Sequence, residues 1–205
     1  MKSFIAALAV AATALVLPSC SSPATEDHTE HQPGTESSAA EHPAGFNADD
    51  VAFATNMISH HQQAVQLSAL VPDRSTDPAL IKLAADISAA QGPEIETMKV
   101  LLVQWKEGGS GDEPAPETHA GHGAPMQGMV DEPTMKTLET LRGNEFDTLW
   151  LTSMIGHHQG AIEMAKAELA NGVNADAKNV AQHIVTAQQA EITQMKQMGT
   201  VTQDG

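Results

Sequence analysis

The sequence predicts an all-α protein: a four-helix bundle made of two duplicated helical hairpins, with a short extra helix in the linker between them. Three observations predict it. Apolar residues recur at three- and four-residue spacing through four long segments. No segment sustains the two-residue alternation of a half-buried strand. The two halves match at one constant offset, 157 − 60 = 97 residues.

Taken in order, residues 1–19 read as a secretory signal. Lys2 supplies a basic start, and Phe4 to Leu17 is apolar and uncharged. Leu17-Pro18-Ser19-Cys20 then resembles a bacterial lipobox, which makes Cys20 the expected lipidation site. It is the sole cysteine, so no disulfide can form within the chain. Residues 20–45 are rich in Ser, Glu, Pro, Ala and Gly, contain His28, His31 and His42, and read as a flexible tether.

The bundle domain is expected over 46–201, with repeat one at 47–107, a linker at 108–131 and repeat two at 132–199. Asn47 is a good N-cap, and Asp49 and Asp50 favour the positive end of a helix. The inner stripe of that helix is Phe53, Met57, His60, Ala64, Leu67 and Val71, and Pro72 ends it. Asp77 caps a second helix with Pro78 in its first turn. Its stripe is Ala84, Ile87, Gln91, Glu94, Met98, Leu101 and Trp105, and Gly108-Gly109 stops it. Pro93 lies inside this helix and should kink it, at about 3 kcal/mol. Gly108 to Pro125 is a second polar, flexible stretch. A short helix follows near Pro133 to Leu141, then one capped by Asn144 and stopped by Asn171-Gly172, then one from about Asp176 to Met198.

The 97-residue offset aligns NMISHHQQAV, from Asn56, with SMIGHHQGAI, from Ser153. It also pairs Asp50 with Asp147, Phe53 with Trp150, Gln91 with Gln188, Glu94 with Glu191 and Met98 with Met195. One offset across two helices and their connection predicts a duplicated hairpin with a pseudo-two-fold axis.

Composition narrows the function. With 26 Asp plus Glu against 10 Lys plus Arg, the surface repels phosphate backbones, so nucleic acid is not expected as a partner. No nucleophile triad, phosphate loop or CxxC is present. The 10 methionines and 10 histidines carry the chemical content. Met57 can converge with His60 and His61, and Met154 with His157 and His158, because residues three and four apart share a helix face. Gln91, Glu94 and Met98, and likewise Gln188, Glu191 and Met195, share stripes on the partner helices. Such polar groups inside a bundle cost stability unless they pair or bind something. In a purely structural alternative His60 bonds Glu94, His157 bonds Glu191, and the methionines fill the core. As a metal site, imidazole with thioether selects a soft ion such as Cu(I) or Ag(I). His119, His122, Met126 and Met129 in the linker form a second candidate ligand set. His183 has no counterpart in the first repeat, where Asp86 takes its place, and reads as surface.

The pattern Met-Ile-x-His-His-x-x-Ala-(Val/Ile), followed by Gln-x-x-Glu-Ile-x-x-Met, resembles the bacterial family called "domain of unknown function 305". Both halves carry it, from about Asn47 to Met198, and the second is the nearer match; Leu67 stands where the second has Met164. The resemblance implies a ferritin-like four-helix bundle and makes copper the leading metal. It carries over His60, His61, Glu94, Met98, His157, His158, Glu191 and Met195. The expected function is an exported lipoprotein, held by a palmitate-bearing anchor at Cys20 on the outer face of the cytoplasmic membrane or in the envelope. There it would bind Cu(I), or another transition metal, for sequestration or homeostasis. The alternatives are a ferritin-like dinuclear redox enzyme and a metal-free interaction module. The enzyme needs about four carboxylates and Glu-x-x-His on two helices, and no inner helix has that motif. No catalytic residue is expected. The expected partners are the metal ion and the membrane; a homo-oligomer and a metal-delivery partner stay open. The differences at Pro93 and Leu67 predict two related but unequal sites.

Overall fold

A computed structural model of the chain describes residues 45–108 and 126–201. The signal segment, Cys20, the tether histidines, His119 and His122 lie outside the described residues. Among the described residues there are helices and turns but no strand.

Helix α1 (Ala48–Leu70) starts where the sequence placed it. The Asn47 side chain accepts from Asp50 N at 3.0 Å, and the Asp50 carboxylate accepts from Asn47 N at 2.6 Å, a reciprocal capping box. Pro72 sits in a single 3-10 turn, Val71–Asp73, that closes it. Helix α2 (Pro78–Gly108) is capped by Asp77, whose Oδ1 accepts from Ala79 N at 2.8 Å. It runs unbroken through Pro93, which lies on the exposed side, where water can take the carbonyl the ring leaves free. Helix α3 (Glu132–Thr140) is capped by Asp131 through Thr134 N, at 2.8 Å.

The structure corrects two helix starts, while α4 stops at Asn171-Gly172 as expected. Helix α4 (Gly143–Asn171) starts one residue before the expected cap Asn144; its N-cap is Arg142, which makes no side-chain cap bond, and Gly143 takes φ +58°. Gly172 ends α4 at φ −64°, so no left-handed turn requires glycine there. A Cβ at Gly172 would instead collide with the Glu168 carboxyl. Helix α5 (Ala175–Val201) is capped by Asn174 rather than started at Asp176: its Oδ1 accepts from Asp176 N and Ala177 N at 3.1 and 3.0 Å.

α1 packs on α2 and α4 on α5; the two hairpins join mainly through α1 and α4, with α3 laid against both. The buried side chains form two apolar layers. One holds Leu67, Leu80, Ile87, Phe146, Trp150, Met154 and Met195. The other holds Phe53, Met57, Met98, Leu101, Trp105, Ala165 and Ile184. Along α1 the sequence passes from the second layer to the first, along α4 from the first to the second; α1 and α4 are therefore antiparallel. On all four long helices the interval between layers is a histidine pair or a buried glutamine: His60-His61, Gln91, His157-His158 and Gln188. The bundle has a polar waist between two apolar ends.

The hairpins are cross-tied at both ends. The Trp150 indole N–H donates to the Leu67 carbonyl at 2.9 Å, fully buried. Asp50 on α1 accepts from Val173 N and Asn174 N, at 3.1 and 2.9 Å, in the loop between α4 and α5. Beside Asp50, Glu168 is 1% exposed and neither of its oxygens meets a donor. Burial, then the neighbouring Asp50 carboxylate, pushes the Glu168 carboxyl up to about 8. The folded state thus holds a proton that the unfolded chain releases near pH 4.5, and stability falls as pH rises from there to about 8. Glu168→Gln keeps a donor towards Asp50 without the charge. It is expected to match the wild-type melting temperature near pH 5 and to exceed it progressively towards pH 8. A constant difference between the two proteins across that range would refute the assignment.

Candidate metal site

The waist is built from consecutive histidines on α1 and α4. Neighbours on a helix point about 100° apart, so the two rings of each pair take different partners. His61 and His158 turn towards their own hairpins. His61 Nε2 lies 2.9 Å from Glu94 Oε2, and His158 Nε2 lies 2.7 Å from Glu191 Oε2. Both pairs are separated by the same 33 residues. His60 and His157 turn towards each other across the interface between the hairpins, with ring centroids 3.7 Å apart and planes inclined by 37°. This corrects the pairing expected for a structural network: the glutamates bond His61 and His158, not His60 and His157.

All four imidazoles are essentially excluded from solvent. Burial holds His60 down to about 4, with His61 adding to the effect against a raising bond to Gln127. Burial and the facing His60 ring hold His157 down to about 2. Both are neutral at pH 7, with lone pairs available. Glu94 is lowered overall: its burial acts upward, but hydrogen bonds from His61 and His183 outweigh it. An ionised Glu94 only accepts, so His61 carries a proton on Nε2 and Nδ1 is the ring nitrogen left for a ligand.

Among the described residues, five buried ring nitrogens have no protein partner: Nδ1 of His60, His61 and His158, and both nitrogens of His157. The Gln91 amide and Gln188 Oε1 are unpartnered beside them. Buried polar atoms are satisfied in the great majority of cases, so these atoms are open to a cation or to water. Among the described residues, no three His, Cys, Asp or Glu side chains are already gathered around a cation position. The thioethers are the remaining candidates. Met57 and Met98 are fully buried in one layer, Met154 and Met195 in the other. Met126 and Met129 of the linker are half-buried. Met164 lines a separate cleft of about 150 Å³ with Asp49, Phe53, Asn56 and Glu168.

Three features escape the sequence reading. His183, expected on the surface, is exposed but bonds Glu94 Oε1 through Nδ1 at 2.7 Å. Glu94 is thereby held by two imidazoles; in the other repeat Asp86 replaces His183. The second feature is a strap, Gln127–Val130, lying over the waist. Its Gln127 carbonyl is 3.3 Å from His60 Nε2. The third is its anchorage: the Gln63 amide grips Val130, donating to its carbonyl and accepting from its N–H, both at 2.8 Å. The repeat held a signal for this. Gln63 and Gly160 occupy matching positions but differ in type, as do Ser59 and Gly156.

The sequence pattern of the family "Domain of unknown function (DUF305)" matches residues 50–199, across both hairpins. The fold is similar to that of a DUF305 protein of Streptomyces coelicolor described as secreted, at TM-score 0.66 and 31% identity, covering 75% of this chain and 93% of that one. A DUF305 fragment from Deinococcus radiodurans aligns at TM-score 0.63 and 30% identity, covering 77% and 98%. CopM in its Cu(I)-bound form aligns at TM-score 0.59 and 32% identity, covering 73% and 94%; CopM has also been solved with Cu(II) and with Ag. An uncharacterized protein of Acanthamoeba polyphaga mimivirus is 36% identical over 58 residues, and the chain spans 38% of that relative's length.

Proposed function

This chain belongs to the DUF305 family, and from that premise we propose that it is an exported lipoprotein that binds copper, as Cu(I), for sequestration or homeostasis. The observation that carries the proposal is the waist, where five buried imidazole nitrogens lack partners and four buried methionines stand in the adjoining layers. That donor set fits a soft cation. His60, His61, His157 and His158 would hold it, drawing on Met57, Met98, Met154 and Met195 for thioether sulfur. The metal supplies a Lewis-acidic centre for nitrogen and sulfur lone pairs, and a desolvated, neutral site suits a monovalent one. Glu94 and Glu191 orient His61 and His158 from behind, as carboxylates commonly do for ligating histidines. The two sets are unequal through His183 and the strap, and we read them as a duplication of one ancestral hairpin.

The similar structures of CopM with bound copper and silver support the choice of metal. A dinuclear redox enzyme has less support. Asp50 is engaged by a loop, and Glu94 and Glu191 face histidine N–H groups rather than each other. Export and lipidation rest on residues 1–20; incorporation of labelled palmitate that disappears in Cys20→Ala tests the anchor.

The function is tested by loading the mature protein with Cu(I), Ag(I), Zn(II) and Fe(II). Saturating Cu(I) or Ag(I) is expected to raise the melting temperature, since a ligand at 1,000 times its Kd stabilises by about 4 kcal/mol. Changing His60, His61, His157 and His158 to alanine should abolish the shift. A shift surviving in that variant, or lost only when residues 115–130 are deleted, would move the site to the linker.

A further inference from the structure

The strap is seated by features that only one repeat offers. Gly156 and Gly160 leave a smooth track along α4, one turn apart. A Cβ on Gly160 would fall inside the Gln127 carbonyl group. Gly128 crosses that track at φ +85°, where a Cβ would come within 2.7 Å of the Gly156 carbonyl oxygen and 3.0 Å of the His157 carbonyl oxygen. Backbone therefore rests on backbone, an approach that side chains at either position would prevent. From α1, the two-point grip of Gln63 on Val130 fixes the far end of the strap as a strand partner would. The consequence falls on His60. A carbonyl oxygen has no proton to give, so the contact between Gln127 O and His60 Nε2 requires the proton to be on Nε2. The Nδ1 of the same ring is buried and without a partner.

We infer that Gln63 and Gly160 are positioning residues for the histidine waist: they seat the Gln127–Val130 strap, whose Gln127 carbonyl keeps the proton of His60 on Nε2 and makes Nδ1 its ligating atom. Glu94 does the same for His61 from the opposite side, so a side chain and a main-chain carbonyl select the same tautomer for neighbouring rings. The inference rests on the proposed function only for what Nδ1 binds.

The test uses the full chain with ¹⁵N-labelled histidine, first without metal. Long-range ¹H–¹⁵N spectra of the wild type should show His60 as a single Nε2–H tautomer. In Gly160→Ala, Gln63→Ala and the double variant the strap loses its seat, and His60 should become a mixture of tautomers. The helices should remain, since alanine favours a helix over glycine. Competition against a chromogenic Cu(I) chelator should then show affinity lowered about 10- to 100-fold, the usual effect of removing a group that orients a ligand. An unchanged His60 tautomer in the double variant would overturn the inference, as would a lost tautomer with unchanged Cu(I) affinity. The tautomer is read without metal, so it decides the strap's role separately from the proposed function, which fails if Cu(I) ignores the waist.

Discussion

Replacing His60 and His157 together by leucine is expected to make the metal-free protein more stable, not less. The two rings face each other in the buried centre of the bundle, and three of their four ring nitrogens have no partner among the described residues. An unsatisfied buried polar group costs about 1–3 kcal/mol, whereas an apolar replacement of similar size leaves nothing unpaired. Some of the gain is lost to repacking and to the freed Gln127 carbonyl, so about 2–4 kcal/mol is expected from denaturant unfolding. The same change should eliminate stabilisation by Cu(I). Loss of stability with metal-induced stabilisation intact would mean that these histidines are ordinary core residues.

The second large effect is at Trp150. It is fully buried between the hairpins, and its indole spans from α4 to the last turn of α1. Trp150→Ala removes the largest fully buried side chain among the described residues, and large aromatic deletions of this kind cost about 3–5 kcal/mol. For a domain of this size that is a fall in melting temperature on the order of 10 °C. Trp150→Phe separates packing from hydrogen bonding: it fills most of the space but leaves the Leu67 carbonyl unpaired, at about 1 kcal/mol. If the two variants melt together, the hydrogen bond rather than the packing dominates. If neither moves the transition, α1 and α4 are not the main interface between the hairpins.

Much of the fold is legible because its determinants are local. Asn47, Asp77 and Asp131 cap helices through bonds to backbone two or three residues away, and side-chain type reports such bonds directly. Pro72 stops α1 for the same local reason. The waist is legible because the 97-residue offset places histidines and glutamines at corresponding positions on all four long helices. The start of α4 at Gly143 and the reason for a glycine at 172 are not legible locally, because they depend on what the chain meets in space: Gly172 is small to clear Glu168, four residues back across a turn. The pairing of His61 rather than His60 with Glu94 turns on an angle of about 100° that composition and spacing do not resolve. The strap was hidden for a further reason. Its effect on His60 runs through the main-chain carbonyl of Gln127, which any residue would supply, and the residues that seat it are visible only as small departures from the repeat. His183 is similar: what matters is that Glu94, 89 residues away, comes within reach.

Copper held in the waist as proposed would lie between imidazole nitrogen and thioether sulfur. X-ray absorption at the copper edge of the Cu(I)-loaded protein measures those neighbours directly. Both nitrogen and sulfur scatterers are expected in the wild type, with the sulfur contribution reduced in Met57→Leu/Met154→Leu and the nitrogen contribution lost in the four-histidine variant. A shell of nitrogen and oxygen alone, unchanged by those substitutions, would contradict the proposal.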